Sequence, residues 1–125
     1  MKVIDSSIFI DHFRGHPPAT SFFESLSDLA LFSAVTETEL LTGNQCSIAE
    51  TRKKILQFLA KFEKISVDNP IAQLAGDLSR EHRANGLELG DALIAATAIV
   101  NKAELLTRNV RDFEKIKDLR VRSPY

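Results

Sequence analysis

Four carboxylates in this sequence could act together, although they lie far apart along the chain: Asp5, Glu39, Asp91 and Asp112. If their side chains converged, mutual repulsion would raise their pKa values unless a divalent cation neutralised them. No His or Cys accompanies them at metal-ligand spacing, and a ligand set made only of oxygen favours Mg²⁺ or Mn²⁺ over zinc. The residue types therefore suit metal-assisted hydrolysis.

Asp5 is the carboxylate whose surroundings are hardest to explain structurally. It follows the apolar pair Val3-Ile4 and precedes Ile8-Phe9-Ile10, in a stretch that reads as a buried strand with no obvious helix start. An ionised carboxylate in apolar surroundings is costly unless it is paired, hydrogen-bonded or bound to a metal. The hydroxyls of Ser6 and Ser7 could bond it, and a metal ion would compensate its charge.

Each of the other three acids also has a purely structural interpretation. The segment from Thr36 to Glu39 has the form of a capping box, in which the Glu39 side chain would reach back to the Thr36 amide. Asp91 could cap the apolar helix that follows it or complement the helix dipole. Asn109 and Asp112 could cap the next helix. The residues alone leave both the capping and the metal-site interpretations open.

Short apolar runs alternate with helical patterns along the whole chain. This alternation predicts an α/β fold, with a short, mostly parallel sheet of four to five strands flanked by helices. In such sheets ligands bind beyond the carboxyl ends of the strands, which gives the four acids a common location. The predicted strands lie in VIDSSIF, ALFSAV, KISV, ELLT and LRVRS, and the main predicted helices lie at 48–64, 70–85 and in ELGDALIAATAIVNKA.

Composition and charge narrow the class of protein. A chain of 125 residues with 44% hydrophobic and 26% charged residues is typical of one globular domain, here spanning 1–125, without a membrane span. Asp5 and Asp11 interrupt the only candidate for a targeting segment, and the single Cys46 fits a reducing cytoplasm. A net charge of −1 provides no overall attraction for nucleic acid, so such binding would need a local basic cluster.

Four segments carry a specific pattern in the same order: D-S-S at Asp5, S-A-V-T-E-T-E-L ending at Leu40, G-D-A-L-I-A-A-T-A around Asp91, and L-L-T-R-N-V-R-D-F from Leu105. Together they resemble the PIN-domain ribonucleases, and more closely the VapC-type toxins of prokaryotic toxin–antitoxin pairs. Residues 45–87 match only in length and helical character. The resemblance implies a PIN-like α/β/α sandwich and a metal-dependent endoribonuclease that uses Mg²⁺ or Mn²⁺.

The resemblance also implies a role for individual acids. Asp5, Glu39 and Asp91 would be the main catalytic metal ligands, and Asp112 would be the fourth. Asn109 could complete the site in place of Asp112. The hydroxyl of Thr107 would orient the fourth acid, and Ser6 or Ser7 would orient Asp5.

Basic residues near the acids provide candidates for contacts with RNA phosphates. Arg108 and Arg111 flank Asn109 on the loop after the fourth predicted strand, and Arg14 is a third candidate. Two further acids, Asp11 and Glu37, are expected to lie outside the metal site.

The resemblance implies partners as well. It predicts a cognate antitoxin that inserts a basic side chain among the acids, and a homodimer. Two other functions stay open: a housekeeping PIN nuclease without an antitoxin, and a non-catalytic binding module of the same fold.

Overall fold

The computed structural model describes all of residues 1–125 and contains one sheet of five strands in the order β3-β2-β1-β4-β5. Every neighbouring pair of strands is parallel. The strands are β1 (Lys2–Ile4), β2 (Ala30–Ser33), β3 (Glu63–Ile65), β4 (Glu104–Leu106) and β5 (Val121–Arg122). The helices are α1 (Ser6–Phe13), α2 (Pro17–Ser25), α3 (Ala34–Leu41), α4 (Ala49–Leu59), α5 (Asn69–Glu81), α6 (Leu89–Val100) and α7 (Val110–Phe113).

Helices cover both faces of the sheet, so that the central strands bury side chains in both directions. In β1, Val3 packs into a core formed with α5, α6 and α7. Its neighbour Ile4 packs on the opposite face, where Phe9 of α1 and Leu59 of α4 lie. Burial on both faces explains why these strands read as continuous apolar runs rather than alternating ones. The predicted α/β fold with helices on either side of a parallel sheet is confirmed.

An aromatic cluster holds α1 against the sheet. Phe9 is fully buried at its centre. Its ring centroid lies 5.3 Å from that of Phe23, 6.0 Å from Phe32, 6.2 Å from Phe58 and 5.7 Å from Phe62. These spacings fall in the range of favourable tilted and edge-to-face pairs. The cluster therefore fixes the first turns of α1, which follow directly on Asp5.

The prediction that no helix begins at Asp5 is wrong. Asp5 has extended backbone angles and is the N-cap of α1, and its side chain accepts a hydrogen bond from the Ser7 amide at 3.4 Å. Three consecutive apolar residues at 8–10 conceal the helical period, because Ile8 and Phe9 are buried while Ile10 is only half-buried. The strand-like stretch VIDSSIF therefore contains only the last two residues of β1 and continues from Ser6 as helix α1.

The capping-box interpretation of Thr36 and Glu39 is also wrong. Helix α3 begins at Ala34, and its N-cap is Ser33, whose Oγ accepts a hydrogen bond from the Val35 amide at 3.0 Å. Strand β2 passes into α3 without a loop, so the helix starts earlier than the Thr-x-x-Glu pattern indicates. Thr36 is buried inside the first turn, and Glu39 lies in the second turn, free of any capping role.

Among the remaining structural interpretations, side-chain capping fails for Asp91 and Asn109, whereas the predicted helix-dipole role of Asp91 is met. Glu88 is the N-cap residue of α6, and Asp91 lies within the first turn, where its charge suits the helix dipole. Asn109 precedes α7 but its side chain makes no capping hydrogen bond. None of the helices combines the length and apolar character needed to cross a lipid bilayer.

Candidate active site

The carboxylate of Asp5 is buried and held by three hydroxyl groups at the end of β1. The residue is 3% exposed. Its Oδ2 accepts hydrogen bonds from Ser7 Oγ at 2.8 Å and from Thr107 Oγ1 at 2.8 Å. Its Oδ1 accepts only a long bond of 3.5 Å, from Ser6 Oγ. One carboxylate oxygen is therefore saturated, and the other is left available for a ligand.

The Asp5 carboxylate lies at the point in the sheet where successive strands of the chain change from one side of β1 to the other. The chain leads from β1 to β2 on one side, whereas β4 and β5 lie on the other side of β1. Thr107 follows β4 directly, so that its hydroxyl donates to Asp5 across the β1–β4 junction. The prediction that this hydroxyl orients the fourth acid is therefore wrong, because it orients Asp5 instead. Such a junction is the usual ligand site in a parallel α/β sheet.

The loop after β4 is tied to the same hydroxyls. Ser7 Oγ accepts a hydrogen bond from the Arg108 amide at 3.1 Å, and Thr107 Oγ1 accepts one from the Asn109 amide at 3.0 Å. Each hydroxyl thus donates to Asp5 and accepts from the loop. The positions of Asp5, Arg108 and Asn109 are consequently linked.

The four predicted acids converge on one polar pocket of about 260 Å³, which contains no hydrophobic side chain in its lining. Ser6 and Asn109 line it as well, so both candidates for completing the site, Asn109 and Asp112, are present. The lining consists of Asp5, Ser6, Glu39, Gly86, Glu88, Asp91, Asn109 and Asp112.

Glu88 is a fifth carboxylate in this pocket and was missed by sequence reasoning. It is the N-cap residue of α6, three residues before Asp91. The signal that could have found it is its spacing in E-L-G-D, since residues three apart at a helix start lie on the same side.

Burial and mutual repulsion perturb the acids of the pocket. Burial, followed by the charges of Asp5, Asp112, Glu39 and Glu88, raises the pKa of Asp91 from 3.8 to about 7. The pKa of Glu39 is raised too, mainly by burial and then by Asp5. The pocket therefore concentrates negative charge that the protein itself does not neutralise.

The residues present fit a hard divalent cation. Their donors are all oxygen, and Glu39 Oε1 is buried without a hydrogen-bond partner. No three acidic, His or Cys side chains already surround a single point as a closed ligand set. Mg²⁺ usually keeps several of its waters and binds only one or two carboxylates directly, so it does not need such a preformed set.

The three predicted arginines do not line the acidic pocket. Arg14 and Arg108 instead share a separate open cleft of about 610 Å³ with Asp11, Gly15, His16 and Pro17. We refer to these six residues as the Arg14–Arg108 cleft. Arg111 lines neither cavity.

Two further acids have partners outside the acidic pocket. Glu37 pairs with Lys64 at 3.2 Å. Asp11 lies in the Arg14–Arg108 cleft and accepts a hydrogen bond from the Tyr125 hydroxyl at 2.7 Å. Sequence reasoning did not find Tyr125, because nothing in the local sequence connects it with α1.

Comparison with known proteins agrees with the fold. The family model described as "PIN domain" matches residues 2–119. Ribonuclease VapC19 from Mycobacterium tuberculosis is 38% identical, over 95% of this chain and 97% of its own length. The range matched by the family model includes all four acidic segments.

Two solved structures have the same fold over nearly their whole length. A toxin-antitoxin complex from Klebsiella pneumoniae matches with a TM-score of 0.84 and 30% identity, covering 100% of this chain and 98% of that one. VapBC2 from Rickettsia felis, bound to a DNA fragment from its promoter, matches with a TM-score of 0.84 and 25% identity, covering 98% and 97%. The parallel sheet is thus that of a PIN domain. Within that class, the chain belongs to the VapC ribonuclease family, as its motifs predicted.

Proposed function

We propose that this protein is a metal-dependent endoribonuclease that hydrolyses RNA phosphodiester bonds and acts as the toxin of a toxin–antitoxin pair in the cytoplasm. The observation that carries the proposal is the convergence of five carboxylates on one pocket at the β1–β4 junction. Acidic residues with a purely structural role would be dispersed or paired with Lys or Arg. Here no basic side chain lines the pocket.

The residues proposed to hold the metal are Asp5, Glu39, Asp91 and Asp112, with one or two of them bound to the ion directly and the others through its waters, and the proposed ion is Mg²⁺ or Mn²⁺. When bound, the ion would supply a Lewis acid that activates water and offsets the charge developing on the phosphate. Asp5 would contribute Oδ1, because its Oδ2 is occupied by Ser7 and Thr107.

Several groups of the chain prepare the pocket for this ion and for a phosphate. The raised pKa of Asp91, about 7, means that ion binding must displace a proton at lower pH. Asn109 would orient Asp112 or the water beside it, since both residues line the pocket. The amino end of α6 adds a field that favours anions at the same place.

The proposed path of the RNA leads from the acidic pocket to the Arg14–Arg108 cleft. Arg108 connects the two, since its amide binds Ser7 Oγ while its side chain lines the cleft. Arg14 and Arg108 are therefore our candidates for contacts with backbone phosphates on one side of the cut, and Arg111 is a weaker third. Single-stranded or loop RNA suits such an open cleft.

A groove beside the acidic pocket supports the proposed antitoxin partner. Its volume is about 450 Å³ and its lining includes Ile10, Phe13, Leu40 and Ile55, with Glu39 also at its wall. An apolar peptide segment could lie in this groove and direct an Arg toward the acids, for the same electrostatic reason that favours Mg²⁺. The relatives found in toxin–antitoxin complexes favour this proposal over a housekeeping nuclease. A homodimer is also proposed, and light scattering would test it.

The direct test is RNA cleavage by the wild type and by Asp5→Asn, with Asp77→Asn as the matched control on the exposed side of α5. We expect Asp5→Asn to lower cleavage by about 100-fold or more, since even partners of a metal ligand are worth about 10- to 100-fold. EDTA should abolish wild-type cleavage, and Mg²⁺ or Mn²⁺ should restore it. Asp77→Asn should cleave normally, because Asp77 pairs only with Arg80.

Sequencing of RNA 5′ ends after brief induction of both variants would identify the substrate. Cleavage by Asp5→Asn at the wild-type rate would contradict the metal site. RNA binding without cleavage by the wild type in the presence of metal would favour the non-catalytic binding module instead.

A further inference from the structure

The side chain of Arg108 is held by Tyr125, a residue that no motif of the family match includes. The Arg108 Cζ atom lies 4.4 Å from the centre of the Tyr125 ring. The Arg108 guanidinium also donates a hydrogen bond to the main-chain oxygen of Tyr125. A guanidinium stacked on an aromatic ring and bonded at its edge loses most of its rotational freedom.

Tyr125 is itself fixed from the other side. Its hydroxyl donates to Asp11 Oδ2 at 2.7 Å, and its ring packs against the core cluster that contains Phe9. Burial and this bond to Asp11 raise the pKa of the Tyr125 hydroxyl, so it stays protonated and remains a donor. Tyr125 therefore links the carboxyl end of α1 to the loop after β4.

The Arg108 side chain is held by Tyr125 rather than by an acidic side chain. No Asp or Glu lies within ion-pair distance of Arg108. A guanidinium carries five N–H donors, and the bond to Tyr125 leaves the others available. Arg108 is exposed, and it opens into the cleft that it shares with Arg14.

The position of Arg108 relative to the acids is fixed as well. Its amide donates to Ser7 Oγ, which donates in turn to Asp5 Oδ2. The main chain of Arg108 is thus bonded to Ser7 beside the acidic pocket, and its guanidinium contacts Tyr125. A phosphate bound by it would lie at a defined distance from the cleavage position.

We propose that Tyr125 is a positioning residue, which holds the Arg108 guanidinium in the Arg14–Arg108 cleft so that it binds an RNA backbone phosphate next to the acidic pocket. The proposal rests on the proposed nuclease function and adds a substrate-positioning device to it. Asp11 takes part by fixing the Tyr125 ring.

The placement of Arg108 can be measured without any activity, by NMR of the arginine Nε–Hε groups. The Tyr125 ring should shift the Arg108 Hε signal upfield, and Arg108→Lys would assign it by its loss. We expect Tyr125→Leu to remove the upfield shift and Tyr125→Phe to keep it, since Phe retains the ring. An unchanged signal in Tyr125→Leu would overturn the proposed contact.

Steady-state cleavage of a short fluorogenic RNA would test the consequence. Tyr125→Leu should raise KM by roughly two- to fivefold, the range for an exposed cation–π contact, while kcat stays unchanged. Arg108→Ala should raise KM by about tenfold or more. Adding Tyr125→Leu to Arg108→Ala should have no further effect, because Tyr125 acts only through Arg108.

Two controls separate positioning from stability and from bulk charge. Tyr125→Phe should rescue most of the KM, which a merely destabilised protein would not show. Lys53→Ala, on the exposed side of α4, removes one positive charge and should leave KM nearly unchanged. An equal loss in kcat for Tyr125→Leu, additive effects in the double variant, or a lower KM for Tyr125→Leu would each overturn the proposal. The last result would mean that Tyr125 withdraws Arg108 from the substrate.

Failure of the proposed nuclease function would be recognised separately. In that case wild-type protein would cleave no RNA with Mg²⁺ or Mn²⁺. Binding of a labelled RNA 12-mer in EDTA, measured by anisotropy, would then replace KM. Weaker binding by both Tyr125→Leu and Arg108→Ala would support the positioning role, whereas unchanged binding by Tyr125→Leu would overturn it.

Discussion

Replacing Asp91 by Asn should stabilise the metal-free protein at alkaline pH, although Asp91 belongs to the proposed active site. The pKa of Asp91 is about 7 in the fold, against an ordinary value of 3.8. The folded protein therefore holds this proton more tightly than the unfolded chain does. The contribution to stability is complete below the ordinary pKa and is lost as the pH rises through about 7.

The size of the effect follows from that difference. Without any discount, the difference between the two pKa values of Asp91 corresponds to roughly 4 kcal/mol in the free energy of unfolding. Asp91 is only half-buried, so solvent screening reduces this figure, and the field at the amino end of α6 favours the charged form. We expect Asp91→Asn to raise the free energy of unfolding by about 1–2 kcal/mol at alkaline pH, after this discount.

Urea denaturation in EDTA at about pH 8 and about pH 5.5 would measure the free energy of unfolding of both proteins. The difference in this free energy between Asp91→Asn and the wild type should be smaller at the lower pH. Mg²⁺ should stabilise the wild type at the higher pH and have much less effect on Asp91→Asn. Asp68→Asn is the matched control, because Asp68 caps α5 outside the acidic pocket. The reasoning would be refuted if Asp91→Asn were less stable than wild type at both pH values, or more stable by the same amount at both.

Four other substitutions test separate parts of the structure. Glu39→Gln should impair cleavage without lowering stability. Ser33→Ala, which removes the N-cap of α3, should lower the free energy of unfolding by about 1 kcal/mol and leave cleavage intact. Melting and cleavage assays on both variants would show the contrast. Thr107→Val should cost about 1–3 kcal/mol in urea denaturation, since it removes a buried donor to Asp5, and should also slow cleavage. Phe9→Ala should cost about 3–5 kcal/mol by the same measurement, because it empties the centre of the aromatic cluster. A loss below about 1 kcal/mol for Phe9→Ala would contradict the packing described for α1.

Much of the fold was predictable from short-range patterns. Apolar runs such as Val3-Ile4 and Leu105-Leu106 identified strands, because a strand buried on both faces must be apolar at every position. Their alternation with helices identified a parallel sheet, and the rule for strand ends then placed Asp5 and Asp91 in one region. The boundaries were less predictable, since a helix that starts directly after a strand, as at Ser6, has no loop to announce it.

The contacts between distant residues were decided only by the tertiary structure. Sequence alone left a capping interpretation for Glu39 and Asp91, and it fails because Ser33 and Glu88 occupy those cap positions, whereas Asp5, for which no cap was predicted, is the N-cap of α1. Glu88 lines the acidic pocket only because of the way α6 packs over the sheet. The link from Asp11 through Tyr125 to Arg108 joins three elements with no common pattern.

There is a physical reason why the sequence determines some of these features and the tertiary structure determines the others. Side-chain hydrophobicity along the chain determines which segments are strands and helices, and the motifs determine which acids are available. Which of those groups meet depends on strand order and on the packing of helices over the sheet. Asp5 illustrates both parts: its sequence context showed that its charge needed compensation, and only the fold supplied the hydroxyl of Thr107, 102 residues away, and the acidic pocket around it.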